Sequence, residues 1–158
     1  MNGVHDRGVM RTRSNVLDHP PASSPTALQH FQARLSFEAD CADVYADMLA
    51  GLGGFTLLDT RSPEHYASGH IPGALNVPHR RLTTELLQRL GVAEDDLLVT
   101  YCAGPHCNAS TRGAIRAAAL GRAVKEMPGG LLGWRAEGFP VALGADPGEL
   151  ASPARPGS

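Results

Sequence analysis

Two stretches, FTLLDT (55–60) and LLVTY (97–101), are short, nearly unbroken apolar runs. A strand that alternates apolar and polar residues can leave one face in water. A continuous apolar run cannot, so these two predict strands buried on both faces. Burial on both faces calls for helices above and below the sheet, and the intervening segments supply them. DCADVYADMLAGL places Val44, Tyr45, Met48 and Leu49 on one helical face and stops at glycine. SPEHYASG offers Ser62 as N-cap and Pro63 as the first helical residue, closing at Gly69. Farther on, ALNVP reads as a strand, LTTELLQRLG as a helix, NASTRGAIRAAALG as a helix and AVKEM as a last strand. GWRAEGF closes the core as a helical turn, and FQARLSF reads as a short first strand. This alternation specifies an α/β fold, an open parallel sheet with right-handed crossovers.

The chain has 158 residues, room for one ordinary domain, and 42% hydrophobic residues, enough for a real core. Its net charge of −2 and the lack of a long basic run point to neither a nucleic-acid nor an anionic-membrane partner. Three cysteines, an odd number, do not form a disulfide framework, and the seven histidines are scattered. No apolar stretch approaches the roughly 18 residues of a membrane span. Arg7, Arg11 and Arg13 have no apolar run behind them, so the N-terminus does not read as a signal peptide and a reducing cytoplasm is the expected setting. Residues 1–26 and 145–158, rich in Pro, Ser and Gly, are read as disordered tails around a single domain at 27–144, with Met10 an alternative start.

The residues YCAGPHCNAS (101–110) lie between a predicted buried strand and a predicted helix. In open α/β sheets, ligands bind outside the carboxyl ends of the strands, and Cys102 sits at such an end. A tight strand-to-helix loop turns successive N–H groups inward, and the helix adds its own free N–H groups and positive dipole end. Such a cradle stabilises an anion, including a thiolate held at its centre. Gly104 permits the turn, Pro105 stiffens it, and Asn108 fits as N-cap of the helix. An isolated cysteine at a strand end is usually a small buried apolar residue. Two cysteines with Gly, Pro and His in one loop shift the balance toward chemistry. Zinc held by Cys102, His106 and Cys107 is an alternative, although the C-x4-C spacing fits zinc knuckles poorly. A dithiol closing to a disulfide is another.

LLDTRSPEHYASGHIPGALNVP resembles the rhodanese-homology motif, in which a strand ending D-x-R leads through E-[FY]-x-x-G-H-I-P-G-A to N-[IV]-P. The match runs through Asp59, Arg61, Glu64, Gly69, His70, Ile71, Pro72, Gly73, Ala74, Asn76 and Pro78, with the Glu–Tyr spacing one residue longer than usual. The later YC loop and GGLLGW, with Gly129, Gly130 and Trp134, resemble the second half of that family. The likeness covers residues 31–141 and is greatest to small single-domain, phage-shock-type members with a C-x-G-P-x-C-N loop. It implies a rhodanese-like three-layer α/β fold with about five parallel strands and helices on both faces. It also implies a nucleophilic Cys102, an anion-binding loop of Ala103, Gly104, Pro105, His106, Cys107 and Asn108, and supporting roles for Asp59, Arg61 and His70. Asp59 and Arg61 are expected to fix the strand end by charge-assisted hydrogen bonds, and His70 to be a packing residue rather than a base. Trp134 and Cys41 are expected in the core.

The expected reaction is a double displacement without metal or organic cofactor. Cys102 takes the outer sulfur of thiosulfate or a persulfide, and a thiol, cyanide or protein acceptor removes it. Main-chain amides from Ala103 through Cys107 are expected to hold the charge. Common family loops carry arginines after the cysteine; here only His106 is expected to supply charge, which favours sulfur transfer in general over thiosulfate in particular. Cys107 is read either as a resolving thiol or, slightly preferred, as a buried loop anchor. A C-x5-R phosphatase does not fit, because the sixth residue after Cys102 is Asn108. A non-catalytic binding module or a Cys102/Cys107 redox sensor remains the competing reading.

Overall fold

The computed structural model describes residues 13–151, in two compact units, Met1–Ala33 and Arg34–Ser158. Helix α1 (Ser24–Phe37) begins in the first unit and ends in the second. The second unit then runs α2 (Cys41–Leu49), β1 (Phe55–Asp59), α3 (Pro63–Ser68), β2 (Leu75–Asn76) and a 3-10 turn (His79–Arg81). It continues through α4 (Thr84–Arg89), β3 (Leu97–Tyr101), α5 (Ala109–Ala119), β4 (Val124–Glu126) and α6 (Gly130–Ala136).

All strand pairs are parallel, in the order β2-β1-β3-β4. Phe55 through Asp59 lie in register with Leu97 through Tyr101, so Asp59 and Tyr101 end the two central strands side by side. Alternation along these strands sorts the core into two clusters. Leu57, Val99 and Tyr101 pack with Cys41 and Val44 of α2 and with Leu131 and Trp134 of α6. Leu58 and Leu98 point to the opposite face and pack with Leu87 of α4 and Ala117 of α5. Helices therefore cover both faces, as the continuous apolar runs require. Leu58 and Leu98 are fully buried, and each such burial contributes about 1.5–3 kcal/mol.

The helix boundaries follow local chemistry. The Ser62 side chain accepts from the His65 amide, Pro63 occupies the first turn, and Gly69 follows the end of α3. Asp40 caps α2 by accepting from the Asp43 amide at 2.7 Å.

The sheet has four strands rather than about five, because FQARLSF is helical. Gln32, Ala33, Arg34 and Leu35 are good helix formers, and Arg34 pairs with Glu38 one turn later at 3.0 Å. What survives of a fifth strand is a single parallel bridge, Glu38 to Glu126, with the Ala39 amide donating to the Glu126 carbonyl at 2.9 Å. Residues 145–148, whose composition reads as tail, carry hydrogen bonds: the Gly73 amide donates to the Pro147 carbonyl at 2.8 Å, and His70 Nε2 lies 3.0 Å from the same oxygen. The tail assignments for 1–12 and 152–158, and Met10 as a start, concern residues outside those described. Among the described residues no helix is long and apolar enough to cross a membrane.

Candidate active site

Strand β3 delivers Cys102 to the carboxyl edge of the sheet, beside the end of β1. The loop that follows turns at once: the Cys107 amide donates to the Gly104 carbonyl at 3.0 Å. Two amides at the start of α6 hold the loop from behind, Leu131 donating to the Cys102 carbonyl at 2.9 Å and Leu132 to that of Ala103 at 2.8 Å. Gly130 makes this approach possible. Its φ is +57°, and a Cβ there would lie 2.5 Å from the Cys102 carbonyl oxygen and 2.8 Å from the Gly104 nitrogen.

Cys102 is 1% exposed. Its thiol proton has three acceptors within reach, the Cys107 carbonyl at 3.2 Å, the Ser110 hydroxyl at 3.3 Å and, farther off, the Gly104 carbonyl at 3.9 Å. Ser110 in turn donates to Glu126 Oε1 at 3.2 Å, and Thr111 donates to the same oxygen at 3.0 Å. A thiol, a hydroxyl and a carboxylate thus form a chain from the buried sulfur toward the cleft. Burial pushes the Cys102 thiol up, and the neighbouring Cys107 sulfur adds to this, while hydrogen bonds from Ser110 work in the other direction.

Cys107 lies in a different environment, half-exposed and lining a cleft of about 500 Å³ with Pro105, His106, Asn108, Thr111, Glu126 and Pro128. Burial disfavours its thiolate, yet the thiol is lowered: the amides of Ala109 and Ala103 and the Cys102 thiol donate toward it, and the Arg61 charge favours it. Cys102 Sγ lies 3.2 Å from the Cys107 carbonyl oxygen, and neither cysteine is in a disulfide.

Several expectations need correction here. Cys107 lines the cleft rather than anchoring the loop in the core. Asn108 precedes α5, but its side chain makes no cap hydrogen bond; its Oδ1 accepts from Arg112 Nε at 3.3 Å. His106 is not the only source of positive charge, since Arg61 acts on Cys107 from behind the loop. Among the described residues no three His, Cys, Asp or Glu side chains gather as a metal centre requires.

The first motif builds the wall on which the loop rests. Asp59, fully buried, receives Arg61 Nε at 3.0 Å, Arg61 Nη2 at 2.6 Å and the Arg61 amide at 3.0 Å. Arg61 Nη2 also donates to the Gly69 carbonyl at 2.6 Å. Burial works against the Arg61 charge, but Asp59 outweighs it and keeps the guanidinium firmly protonated. Asn76 ties the Asp59 and Arg61 carbonyls together at 3.2 and 2.9 Å. His70 stacks on Tyr66 with 3.7 Å between ring centroids, and its two nitrogens face the carbonyls of Tyr66 and Pro147. It has no contact with either loop thiol. Trp134 is fully buried and donates to the Pro140 carbonyl at 2.7 Å. Cys41 packs under Gly129, its thiol pushed up to about 11, first by burial and then by Asp40 and Glu137. Glu126 and Ser110 are the members that sequence reading missed; nothing in the order of residues signals that the end of β4 meets the first turn of α5.

A cysteine loop at the carboxyl edge of a parallel sheet, beside a buried Asp-Arg pair, defines a class of small α/β domains. The rhodanese-like domain model matches residues 42–137. The BH2092 protein from Bacillus halodurans is 36% identical with a TM-score of 0.71, over 77% of this chain and 87% of that one. Thiosulfate sulfurtransferase from Pseudomonas aeruginosa is 32% identical with a TM-score of 0.58, over 75% of this chain but 21% of that one. The HTH-type transcriptional regulator Rv0324 from Mycobacterium tuberculosis is 41% identical over 96 residues, 61% of this chain and 41% of that protein. The chain thus spans about two fifths of this curated relative. It belongs to the rhodanese-like domain family.

Proposed function

We propose that this domain is a sulfurtransferase that carries sulfane sulfur as a Cys102 persulfide, taking it from thiosulfate or a persulfide donor. A thiol, a protein or, in an assay, cyanide accepts it. The observation that carries this reading is the placement of Cys102: a thiol at the end of a central strand, 3.2 Å from the backbone carbonyl of a second cysteine that lines an open cleft. Membership of the rhodanese-like family and similarity to a thiosulfate sulfurtransferase support it. Cys102 attacks the outer sulfur of the donor, the first product leaves with the electron pair, and the acceptor then attacks the same sulfur. The first turn of α5 stabilises the charge that develops. Of the two donors, the persulfide suits the cleft better, because Glu126 lines it and a dianion approaches a carboxylate at a cost.

Intact-protein mass spectrometry after exposure to thiosulfate and, separately, to glutathione persulfide tests the reading. One sulfur atom gained, lost on cyanide treatment, and not retained at position 102 in Cys102→Ser is the expected result. No gain from either donor refutes it. A second reading is a sulfur- or redox-sensing module, favoured by the adjacency of the two thiols and by the relative named as a transcriptional regulator. It predicts loss of two hydrogens, dependent on both cysteines, in place of sulfur gain.

A further inference from the structure

The sulfur that the cleft presents to solvent is not the one at the strand end. Cys107 lines the cleft together with His106, Asn108, Thr111 and Glu126, whereas Cys102 is 1% exposed behind it. A donor entering the cleft meets Cys107 first. Cys102 Sγ lies 3.2 Å from the Cys107 carbonyl oxygen, so one turn of the loop carries both thiols, and the amides of Ala109 and Ala103 favour the Cys107 thiolate. Cys102 has what a receiving thiol needs, an exit for its proton through Ser110 to Glu126, at 3.3 and 3.2 Å.

We propose that Cys107 is the entry thiol, which takes sulfane sulfur from a low-molecular-weight thiol persulfide and passes it inward to Cys102. This rests on the sulfurtransferase reading, with Cys102 still the carrier, and replaces direct attack of Cys102 on the donor by an inward relay. In the first step the Cys107 thiolate attacks the terminal sulfur of R–S–SH; the donor S–S bond breaks, R–S⁻ leaves with the electron pair, and the proton stays on the transferred sulfur. In the second, Cys102 gives its proton through the Ser110 hydroxyl to the Glu126 carboxylate, and its thiolate attacks the terminal sulfur of the Cys107 persulfide. The Cys107 S–S bond breaks and Cys107 is regenerated as thiolate beneath the amides of Ala103 and Ala109. Each step exchanges one S–S bond for another, so no oxidant or reductant is needed. The order places the weaker acid, Cys102, as the final holder. A more basic thiol is the poorer leaving group, and a persulfide on it persists longer.

The test uses the full reduced chain with glutathione persulfide, rapid quenching by an alkylating agent, and fragment-ion mass spectrometry to locate the added sulfur. Wild-type chain is expected to show sulfur at Cys107 before Cys102. Cys102→Ser is expected to retain sulfur at Cys107, and Cys107→Ser to load Cys102 at least about tenfold more slowly. Circular dichroism and thermal melting show whether each variant is folded, and the wild-type time course decides the order independently of either variant. Loading of Cys102 in Cys107→Ser at the wild-type rate, or sulfur reaching Cys102 first in the wild type, overturns the relay and leaves the sulfurtransferase reading standing. Sulfur on neither thiol overturns both. Conversion of the wild type to a Cys102–Cys107 disulfide with release of sulfide also overturns the relay.

Discussion

The two corners of the carboxyl edge, at the ends of β1 and β3, are built on opposite principles of charge. At the end of β1, Asp59 and Arg61 satisfy each other, with the Gly69 carbonyl and Asn76 taking up what remains. At the end of β3, the neighbouring strand, two thiols lie in environments that push them in opposite directions. The first corner has its buried carboxylate matched by Arg61 Nε, Nη2 and backbone amide. The second corner has a lowered thiol facing a cleft and a raised one behind it. Side chains of similar burial do different work because one set is paired and the other is poised.

That contrast predicts different consequences of mutation. Asp59→Ala leaves a buried guanidinium without its partner, and is expected to cost about 3–5 kcal/mol in urea unfolding, with loss of sulfur loading only through loss of fold. Gly130→Ala reaches the loop through backbone: a Cβ there lies 2.5 Å from the Cys102 carbonyl oxygen, so the loop must shift. It is expected to cost about 1–3 kcal/mol and to slow loading far more than that alone explains, which stopped-flow loading beside unfolding will show. Glu126→Gln removes the terminal proton acceptor while keeping a hydrogen-bonding oxygen. It is expected to leave the fold unchanged and to slow sulfur arrival at Cys102 about tenfold, with loading of Cys107 little affected. The smallest effect is on alkylation. Loading and iodoacetamide labelling follow the thiolate, so both rise with pH, and the lowered Cys107 thiol places its rise below that of ordinary cysteine, near pH 8.5. Peptide mapping across pH is expected to show Cys107 labelled first and Cys41, pushed up to about 11, last. Equal labelling of Cys107 and Cys102 at every pH would erase the contrast.

The sequence order carried much of the fold and part of the site. The apolar runs at 55–60 and 97–101 identify β1 and β3 because burial on both faces leaves a continuous apolar signature. Ser62-Pro63 marks the start of α3 because capping is a local interaction. FQARLSF misled because apolar residues at 31, 35 and 37 fit a short strand, while the helix propensity of the residues between them and the Arg34–Glu38 pair decided otherwise. Cys102 was legible from its place after a buried strand. The orientation of Cys107 was not, since it depends on how a long loop closes against α6, a contact between residues far apart in sequence. Glu126 was hidden for the same reason: only the pairing of β4 beside β3 brings its carboxylate to Ser110.

The two hydrogen bonds from α6 to the loop have a practical consequence. Backbone amides of Leu131 and Leu132 are tied to the carbonyls of Cys102 and Ala103, so the reactive loop keeps its shape only while α6 is docked. Deuterium uptake at those two amides therefore reads the integrity of the cysteine loop without touching a sulfur atom. An opening of α6 that leaves the four-stranded sheet intact would release the loop and bare Trp134, so tryptophan fluorescence would report it while the sheet stayed folded.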